Sequence, residues 1–259
     1  MEVNTKVNLS GLILDNPVIP ASGTFGFGKE YVDFYDINIL GSISIKGTTV
    51  QRRKGNPQPR IAECYSGLIN SVGLENPGME NVIQKELKDL EMIYRKPVIA
   101  NISGFSVEEY VTLAKEMDKV DNVGIIEVNI SCPNVDHGGL AFGTNADNVR
   151  ELTKKIKEVT TKPIYMKLSP NVTDIKEIAR AAQEGGADGI SLINTLMGMR
   201  IDINRRKPVI ANKKGGFSGP AIFPVALRMV YEVYEATNLP IIGIGGISSA
   251  EDVIEMMMA

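Results

Sequence analysis

The chain has 259 residues, of which 43% are hydrophobic, and its 28 basic and 31 acidic residues leave a net charge of −3. This length suits one well-buried core, and the balanced charge argues against a nucleic-acid partner. No apolar run approaches the ~18 residues that a membrane-spanning helix needs, so we expect no membrane partner.

The rarest residue types point to a reduced compartment. Cys64 and Cys132 are the only cysteines and lie far apart, as in proteins of the cytoplasm. Residues 1–6 lack a basic segment followed by an apolar one, which predicts no signal peptide and a cytoplasmic location. One histidine, His137, gives little material for a metal site or catalytic triad, so we predict no metal and interpret His137 as an exposed loop residue.

The first pattern in the chain is a short hairpin over residues 6–14, which turns at Ser10 and Gly11. We expect it to close the bottom of a barrel. Residues 47–77 are rich in Gly, Pro and Asn and form the longest irregular stretch, which is typical of a functional loop.

Seven runs rich in Val, Ile and Leu follow the hairpin. Their nearly continuous apolar character is typical of strands buried on both faces of a parallel sheet. The runs are 18–22, 40–46, 97–103, 123–131, 163–169, 187–194 and 240–245.

Amphipathic segments separate many of these runs. The segment 107–120 follows Ser106, a good N-cap, and further helices are predicted to begin at Asn145 or Asp147 and to cover 173–183, 220–237 and 249–258. Strand and helix in alternation indicate βαβ units with right-handed crossovers. The fold class is therefore α/β, and we predict a TIM (β/α)8 barrel.

The strand count falls one short of a closed barrel, which needs eight. The sequence reaches Ala259 within the seventh predicted helix. We expect residues 1–259 to form a single domain from which strand 8 and the last helix are absent.

Polar residues fall at the carboxyl ends of the predicted strands, where the chemistry of barrels gathers. These ends carry Ser22, Lys46, Asn101, Asn129, Cys132, Lys167, Asn194, Thr195, Gly245 and Gly246. Such a joint pattern predicts one functional site at the mouth of the barrel.

The residue types at this mouth favour an anionic, hydrogen-bonding ligand. A buried ammonium needs an anion beside it, so Lys46 and Lys167 indicate either a bound anion or an internal salt bridge, for which Glu127 is the nearest acid. Asparagine offers donors and an acceptor together, although a single loop asparagine is more often a turn former. The pair Gly245 and Gly246 allows backbone N–H groups to approach a phosphate, and glycine pairs also mark plain turns.

Several motifs occur in an order and spacing that resemble the dihydroorotate dehydrogenase family over essentially the whole chain. They are Ala-Ser-Gly at 21–23, Lys-Gly-Thr at 46–48, Asn-Ser-Val-Gly-Leu at 70–74, Asn-Ile-Ser-Cys-Pro-Asn at 129–134, Lys-Leu-Ser-Pro at 167–170, Asn-Thr at 194–195 and Gly-Ile-Gly-Gly-Ile at 243–247. The segment 21–28 is most similar to the NAD-linked class 1B branch, and Cys132 separates the chain from the membrane-bound class, which carries serine there.

The resemblance implies an FMN-binding barrel that oxidises (S)-dihydroorotate to orotate in pyrimidine (UMP) biosynthesis. It makes Cys132 the base that takes the C5 proton while the C6 hydride passes to flavin N5, and Lys167 the residue that stabilises reduced flavin. A thiol of pKa near ~8.5 is partly ionised at neutral pH, so this chemistry is reasonable. Taken alone, Cys132 would be interpreted as a small buried residue.

The resemblance also implies the remaining contacts. Cofactor-binding residues are Ser22, Lys46, Gly47, Asn101, Asn129, Lys167, Ile193, Gly219, Gly245 and Gly246. Substrate-binding residues are Lys46, Asn70, Ser71, Val72, Gly73, Leu74, Asn129, Asn194 and Thr195.

A partner protein is implied by the NAD-linked branch. It is an electron-transfer subunit that carries FAD and a two-iron, two-sulfur cluster, and it joins a homodimer of this chain in a heterotetramer. Two cysteines are too few for a four-cysteine cluster, and no dinucleotide motif follows the first strand, so NAD reduction requires a second protein. The alternatives are a fumarate-dependent class 1A enzyme, a flavin-free sugar-phosphate barrel, and a non-catalytic remnant that acts as a binding module.

Overall fold

The fold was analysed in a computed structural model, which describes residues 3–130 and 142–259. The strands, in chain order, are β1 (Val7–Leu9), β2 (Leu12–Leu14), β3 (Ile61–Cys64), β4 (Gly67–Asn70), β5 (Val98–Ile102), β6 (Val123–Asn129), β7 (Ile164–Lys167), β8 (Gly189–Leu192), β9 (Leu196–Met199), β10 (Ile201–Asp202), β11 (Lys207–Pro208), β12 (Lys214–Ser218) and β13 (Ile241–Gly243). The α-helices are α1 (Ser22–Phe25), α2 (Met79–Asn81), α3 (Leu87–Glu91), α4 (Val107–Asp118), α5 (Ala146–Lys157), α6 (Ile175–Glu184), α7 (Phe223–Ala236) and α8 (Ala250–Met258).

The central feature is a parallel sheet whose strand order, β5-β6-β7-β8-β13, follows the chain. Helices lie between successive strands, which confirms the predicted βαβ pattern. Within the described residues, no strand pairs with the other edge of β13. The expected positions of strands three to seven are therefore confirmed.

The prediction of regular strands at residues 18–22 and 40–46 is wrong. Residues 18–22 form no ladder, because Pro17 directly precedes the segment, Pro20 lies within it, and neither can donate a backbone N–H. Residues 40–46 lie beside β5 but join it only through an isolated bridge between Ser44 and Ile99, and a second bridge joins Thr48 to Ile102. Both segments still run along the sheet, since the Gly41 N–H donates to the Val18 carbonyl at 2.9 Å.

The stretch 47–77, expected to be irregular, contains β3 and β4. These strands form an antiparallel sheet of order β3-β4-β12-β9 with two strands from the other end of the chain. Glycine in β12 makes the pairing possible, because a Cβ on Gly215 would lie 2.4 Å from the Asn70 carbonyl and one on Gly216 2.0 Å from Thr195 Oγ1. The Gly215–Gly216 pair is thus a strand feature and not a turn.

The helix predictions are confirmed at their N-termini by side-chain caps. Ser106 Oγ accepts the Glu109 N–H at 3.3 Å, and Asn145 Oδ1 accepts the Asn148 N–H at 3.0 Å, so Asn145 opens α5. Ser249 forms a capping box at the start of α8. Each cap satisfies an N–H that has no partner within its helix.

The amino-terminal hairpin closes the bottom of the barrel, as predicted. Leu9 and Leu14 pack with Ile99, Ile125 and Tyr165, which come from β5, β6 and β7. The Tyr165 hydroxyl lies 3.0 Å from Ser10 Oγ, which itself donates to the Asp188 carbonyl at 2.7 Å.

Tyr165 is the largest side chain of this apolar plug. A Cβ on Gly189 would lie 2.2 Å from its ring, so the ring fills the space that the glycine leaves. Burial raises the pKa of Tyr165 to about 12. Packed apolar groups therefore lie between the hairpin and β5, β6 and β7 at the bottom of the barrel.

Candidate active site

A cavity of about 1170 Å³ opens at the carboxyl ends of the parallel strands and continues along β13 toward α8. Nearly all of the predicted site residues line it. These are Ser22, Lys46, Gly47, Asn70, Val72, Gly73, Leu74, Asn101, Asn129, Lys167, Ile193, Asn194, Thr195, Gly219, Gly245 and Gly246. Residues from position 22 to position 246 therefore meet at one site.

Three residues discussed from the sequence stand apart from this set. Ser71 is buried but does not line the cavity, since its hydroxyl accepts hydrogen bonds from Asn56 and Asn212 at 3.2 and 3.0 Å. Cys132 and His137 lie outside the described residues, so the predicted base stays a prediction.

The charged side chains that line the described cavity are both cationic. Of the described residues that line it, Lys46 and Lys167 carry positive charge, and none carries a carboxylate. Lys167 is 6% exposed at the end of β7, whereas Lys46 is only half-buried, less than the sequence suggested. A cavity of this charge favours an anionic ligand.

A buried carboxylate lies beside Lys167. Glu127 Oε2 is 3.6 Å from Lys167 Nζ, accepts Ser44 Oγ at 3.3 Å and is also bonded by Asn101 Nδ2. The internal salt bridge considered from the sequence therefore forms, and Lys167 faces the cavity as well. Asn101 Oδ1 is buried and has no hydrogen-bond partner among the described atoms.

Two asparagines, one at the end of β6 and one after β8, meet across the mouth over the end of the intervening strand β7. Asn194 Nδ2 donates to Asn129 Oδ1 at 3.3 Å, and Asn194 Oδ1 accepts the Thr195 N–H at 2.8 Å. The Tyr110 hydroxyl donates to the Asn129 carbonyl at 2.7 Å, which fixes the end of β6. The amides are thus held in defined orientations, as a site that reads donors and acceptors requires.

The loop 70–74 forms one wall of the mouth. Asn70 ends β4 and donates to the Gly216 carbonyl at 3.4 Å, while Gly73 and Leu74 take left-handed backbone conformations with φ of 78° and 56°. A Cβ on Gly73 would lie 2.5 Å from the Asn56 side chain. Asn56 and Asn212 carry no sequence signal as supports of this loop, because only the folded chain brings them to Ser71.

Glycines form a second wall at the other side of the cavity. Gly219, Gly245 and Gly246 have φ of 109°, 132° and 74°, which glycine adopts readily. A Cβ on Gly246 would lie 2.7 Å from the Phe223 backbone nitrogen and 2.8 Å from the Gly219 carbonyl. Two glycine segments, distant in sequence, therefore approach each other at the start of α7.

A third close approach involves Gly47. A Cβ there would lie 2.8 Å from Asn101 Oδ1 and 3.5 Å from the Leu74 side chain. Backbone thus comes near a buried amide oxygen that has an unused acceptor position.

In the described ranges, no group of three or more His, Cys, Asp or Glu side chains could hold a metal ion. No helix there is long and apolar enough to cross a membrane.

The fold and the cavity together define an α/β-barrel protein with a cavity at the carboxyl ends of its strands that contains two lysines. Residues 4–259 match the family model described as dihydroorotate dehydrogenase. The chain belongs to this family, and its fold is the TIM barrel predicted from the sequence.

Similar proteins come from several bacilli. The chain is 58% identical over 254 residues to a protein of Bacillus cytotoxicus named dihydroorotate dehydrogenase B (NAD(+)), catalytic subunit. Proteins of the same name from Bacillus cereus and Bacillus anthracis are also 58% identical. Each match covers 98% of this chain and 82% of the relative.

Proposed function

We propose that the protein oxidises (S)-dihydroorotate to orotate with bound FMN, as the catalytic subunit of an NAD-linked dihydroorotate dehydrogenase of pyrimidine biosynthesis. The observation that carries this proposal is the cavity, which joins two lysines, four asparagines and a glycine cradle at the mouth of a barrel of this family. The names of the bacterial relatives support the same reaction.

The residues of the cavity fit FMN. Asn101 Oδ1 is a buried acceptor with no partner in residues 3–130 and 142–259, and a ring N–H of a flavin would satisfy it. Gly219, Gly245 and Gly246 lack Cβ atoms and so bring two backbone segments together at the start of α7, where backbone N–H groups suit a phosphate. We infer that these residues, with Ser22, Lys46, Gly47, Asn129, Lys167 and Ile193, hold the cofactor.

FMN, when bound, supplies the acceptor for the hydride of dihydroorotate and gains negative charge in doing so. The Lys167 ammonium is fixed at the end of β7 and stabilises that charge. The described cavity lining contains no side-chain carboxylate, and Glu127 lies beneath it beside Lys167.

Substrate recognition falls to the amides and the loop 70–74. Dihydroorotate presents alternating N–H and C=O groups that need partners once they are buried. Asn70, Asn129, Asn194 and Thr195 offer both donors and acceptors at the mouth, and Lys46 is a cation for the substrate carboxylate. Ser71 contributes differently from the other loop residues, since its side chain supports the loop from behind.

We propose Cys132 as the base that removes the C5 proton, on the strength of its motif three residues after Asn129. Replacement of Cys132 by Ala should abolish dihydroorotate oxidation while FMN stays bound. Cys132→Ser is the conservative companion, and its activity should recover as pH rises because a hydroxyl is a much weaker acid than a thiol. Full turnover in Cys132→Ala would remove this residue from the mechanism.

Electrons must then leave the barrel for NAD. We propose an electron-transfer subunit that carries FAD and a two-iron, two-sulfur cluster, which joins a homodimer of this chain in a heterotetramer. The name "catalytic subunit" of the relatives supports a partner, and two cysteines in the chain cannot ligate a four-cysteine cluster.

An anaerobic absorbance titration tests the proposal. The purified protein with FMN should show flavin bands that bleach when dihydroorotate is added, whereas Cys132→Ala should retain the bands without bleaching. Oxidised bands that persist in the wild-type protein would refute the reaction, and failure to bind FMN would favour a non-catalytic barrel. Reoxidation by fumarate without a partner would assign the chain to the class 1A reaction instead.

A further inference from the structure

A buried polar cluster lies directly below the cavity. Its centre is the Glu127 carboxylate, whose Oε2 is contacted by Ser44 Oγ at 3.3 Å, Lys167 Nζ at 3.6 Å and Asn101 Nδ2. The contacting side chains come from the segment beside β5, from β5 and from β7, so the cluster crosses the interior of the barrel.

Glu127 itself does not reach the cavity. It is 1% exposed and is absent from the lining, whereas its partners Asn101 and Lys167 both line the cavity. Any effect of the carboxylate on a ligand must therefore pass through these two side chains or through its electric field.

The charge of Glu127 has two opposing consequences. It offsets the cost of burying the Lys167 ammonium, and it orients Asn101 by accepting a hydrogen bond from the amide nitrogen. It also leaves a negative charge below a cavity in which, by the proposed function, a further negative charge must form. Field effects inside a barrel are stronger than in water, since the surroundings polarise less.

We propose that Glu127 is a positioning residue that holds Lys167 and Asn101 against the flavin and whose charge lowers the reduction potential of the bound cofactor. This inference rests on the proposed function. Buried ion pairs seldom add net stability, so an effect on position and potential accounts better for the cluster than a stabilising role.

The test is the midpoint potential of FMN bound to the full chain, measured with a chemical reductant and a reference dye, without dihydroorotate. Glu127→Gln keeps an oxygen acceptor for Asn101 and removes the charge. It should shift the ratio of reduced to oxidised flavin upward about tenfold, which is about 30 mV for a two-electron couple. The matched control is Glu109→Gln, which removes the same charge from a carboxylate that accepts the Phe105 N–H, outside the cavity lining.

A second variant moves the potential in the opposite direction. Ser44→Ala keeps the carboxylate but removes a hydroxyl donor that stabilises it, so the ratio of reduced to oxidised flavin should fall by about twofold. Ser44 does not line the cavity, which keeps the ligand contacts intact. If Glu127→Gln does not bind FMN, the midpoint potential of FMN in Ser44→Ala tests the inference by itself.

An unchanged potential in Glu127→Gln would overturn the inference, as would equal shifts in Glu127→Gln and Glu109→Gln. Where Glu127→Gln does not bind FMN, an unchanged potential in Ser44→Ala would overturn it. A wild-type protein that fails to bind FMN would instead refute the proposed function. The chemical reductant separates the two, because potentials are measured even if dihydroorotate is not a substrate.

Discussion

Replacement of Gly47 by Ala should weaken FMN binding without unfolding the protein. The added Cβ would lie 2.8 Å from Asn101 Oδ1, closer than carbon and oxygen normally approach. The amide cannot move freely, because it is 1% exposed and its nitrogen is bonded to Glu127. Overpacking of this kind costs about 1–3 kcal/mol. Where this cost falls on the bound state, FMN affinity drops by about fivefold to 150-fold.

Gly23 supplies a matched control on the same cavity. A Cβ on Gly23 has nothing within 4 Å, and its φ is not positive, so Gly23→Ala makes the same chemical change without a clash. Fluorescence titration of the FMN-free chain with FMN gives both dissociation constants, and far-UV circular dichroism checks the fold. Equal affinities for the two variants would refute the assignment of Gly47 and Asn101 to the cofactor.

Three further substitutions test the phosphate site, the buried Tyr165 and the N-cap of α4. Gly246→Ala places a Cβ 2.7 Å from the Phe223 backbone nitrogen at φ 74°. The affinity for FMN should therefore fall toward the affinity for riboflavin, which lacks the phosphate. An unchanged ratio of the two affinities would contradict a phosphate site there. Burial raises the pKa of Tyr165 to about 12, so the stability it confers is complete below its ordinary pKa of ~10 and is lost as pH rises toward 12. Tyr165→Phe should therefore flatten this alkaline decline in urea unfolding measured from pH 9 to 12, and an identical pH profile would count against it. Ser106→Ala removes the acceptor for the Glu109 N–H and should lower the free energy of unfolding by about 0.5–2 kcal/mol, with FMN affinity unchanged.

The site could be predicted from the sequence because barrels gather chemistry at strand ends. Lys167, Asn129 and Asn194 end or follow strands whose apolar runs are unmistakable, and the rule that places such ends together needs no knowledge of side-chain contacts. Helix starts were equally accessible, since Ser106 and Asn145 are local signals.

What escaped prediction depends on contacts between distant segments. β3 and β4 lie in a stretch rich in turn-forming residues, and they become strands only because β12 pairs with β4. In the same way, Asn56 and Asn212 meet at the Ser71 hydroxyl although they are far apart in the chain. The failure at residues 18–22 is of another kind, since Pro17 before the segment and Pro20 within it were visible in the sequence and argued against a regular strand.

Side chains alternate between the two faces of a strand, and β6 therefore places residues at three depths of the barrel interior. Along β6, alternate residues face the interior: Ile125 packs in the bottom plug, Glu127 forms the buried cluster, and Asn129 lines the cavity. β7 repeats the scheme, with Tyr165 in the plug and Lys167 at the cavity. The register Asn129 opposite Lys167 therefore aligns the layers, and a slip of β6 by one residue would turn Val128 to the interior and Glu127 toward the helices, away from Lys167. The apolar plug thus does more than close the barrel, because the packing of Ile125 and Tyr165 fixes the register that brings the lysine and its carboxylate together.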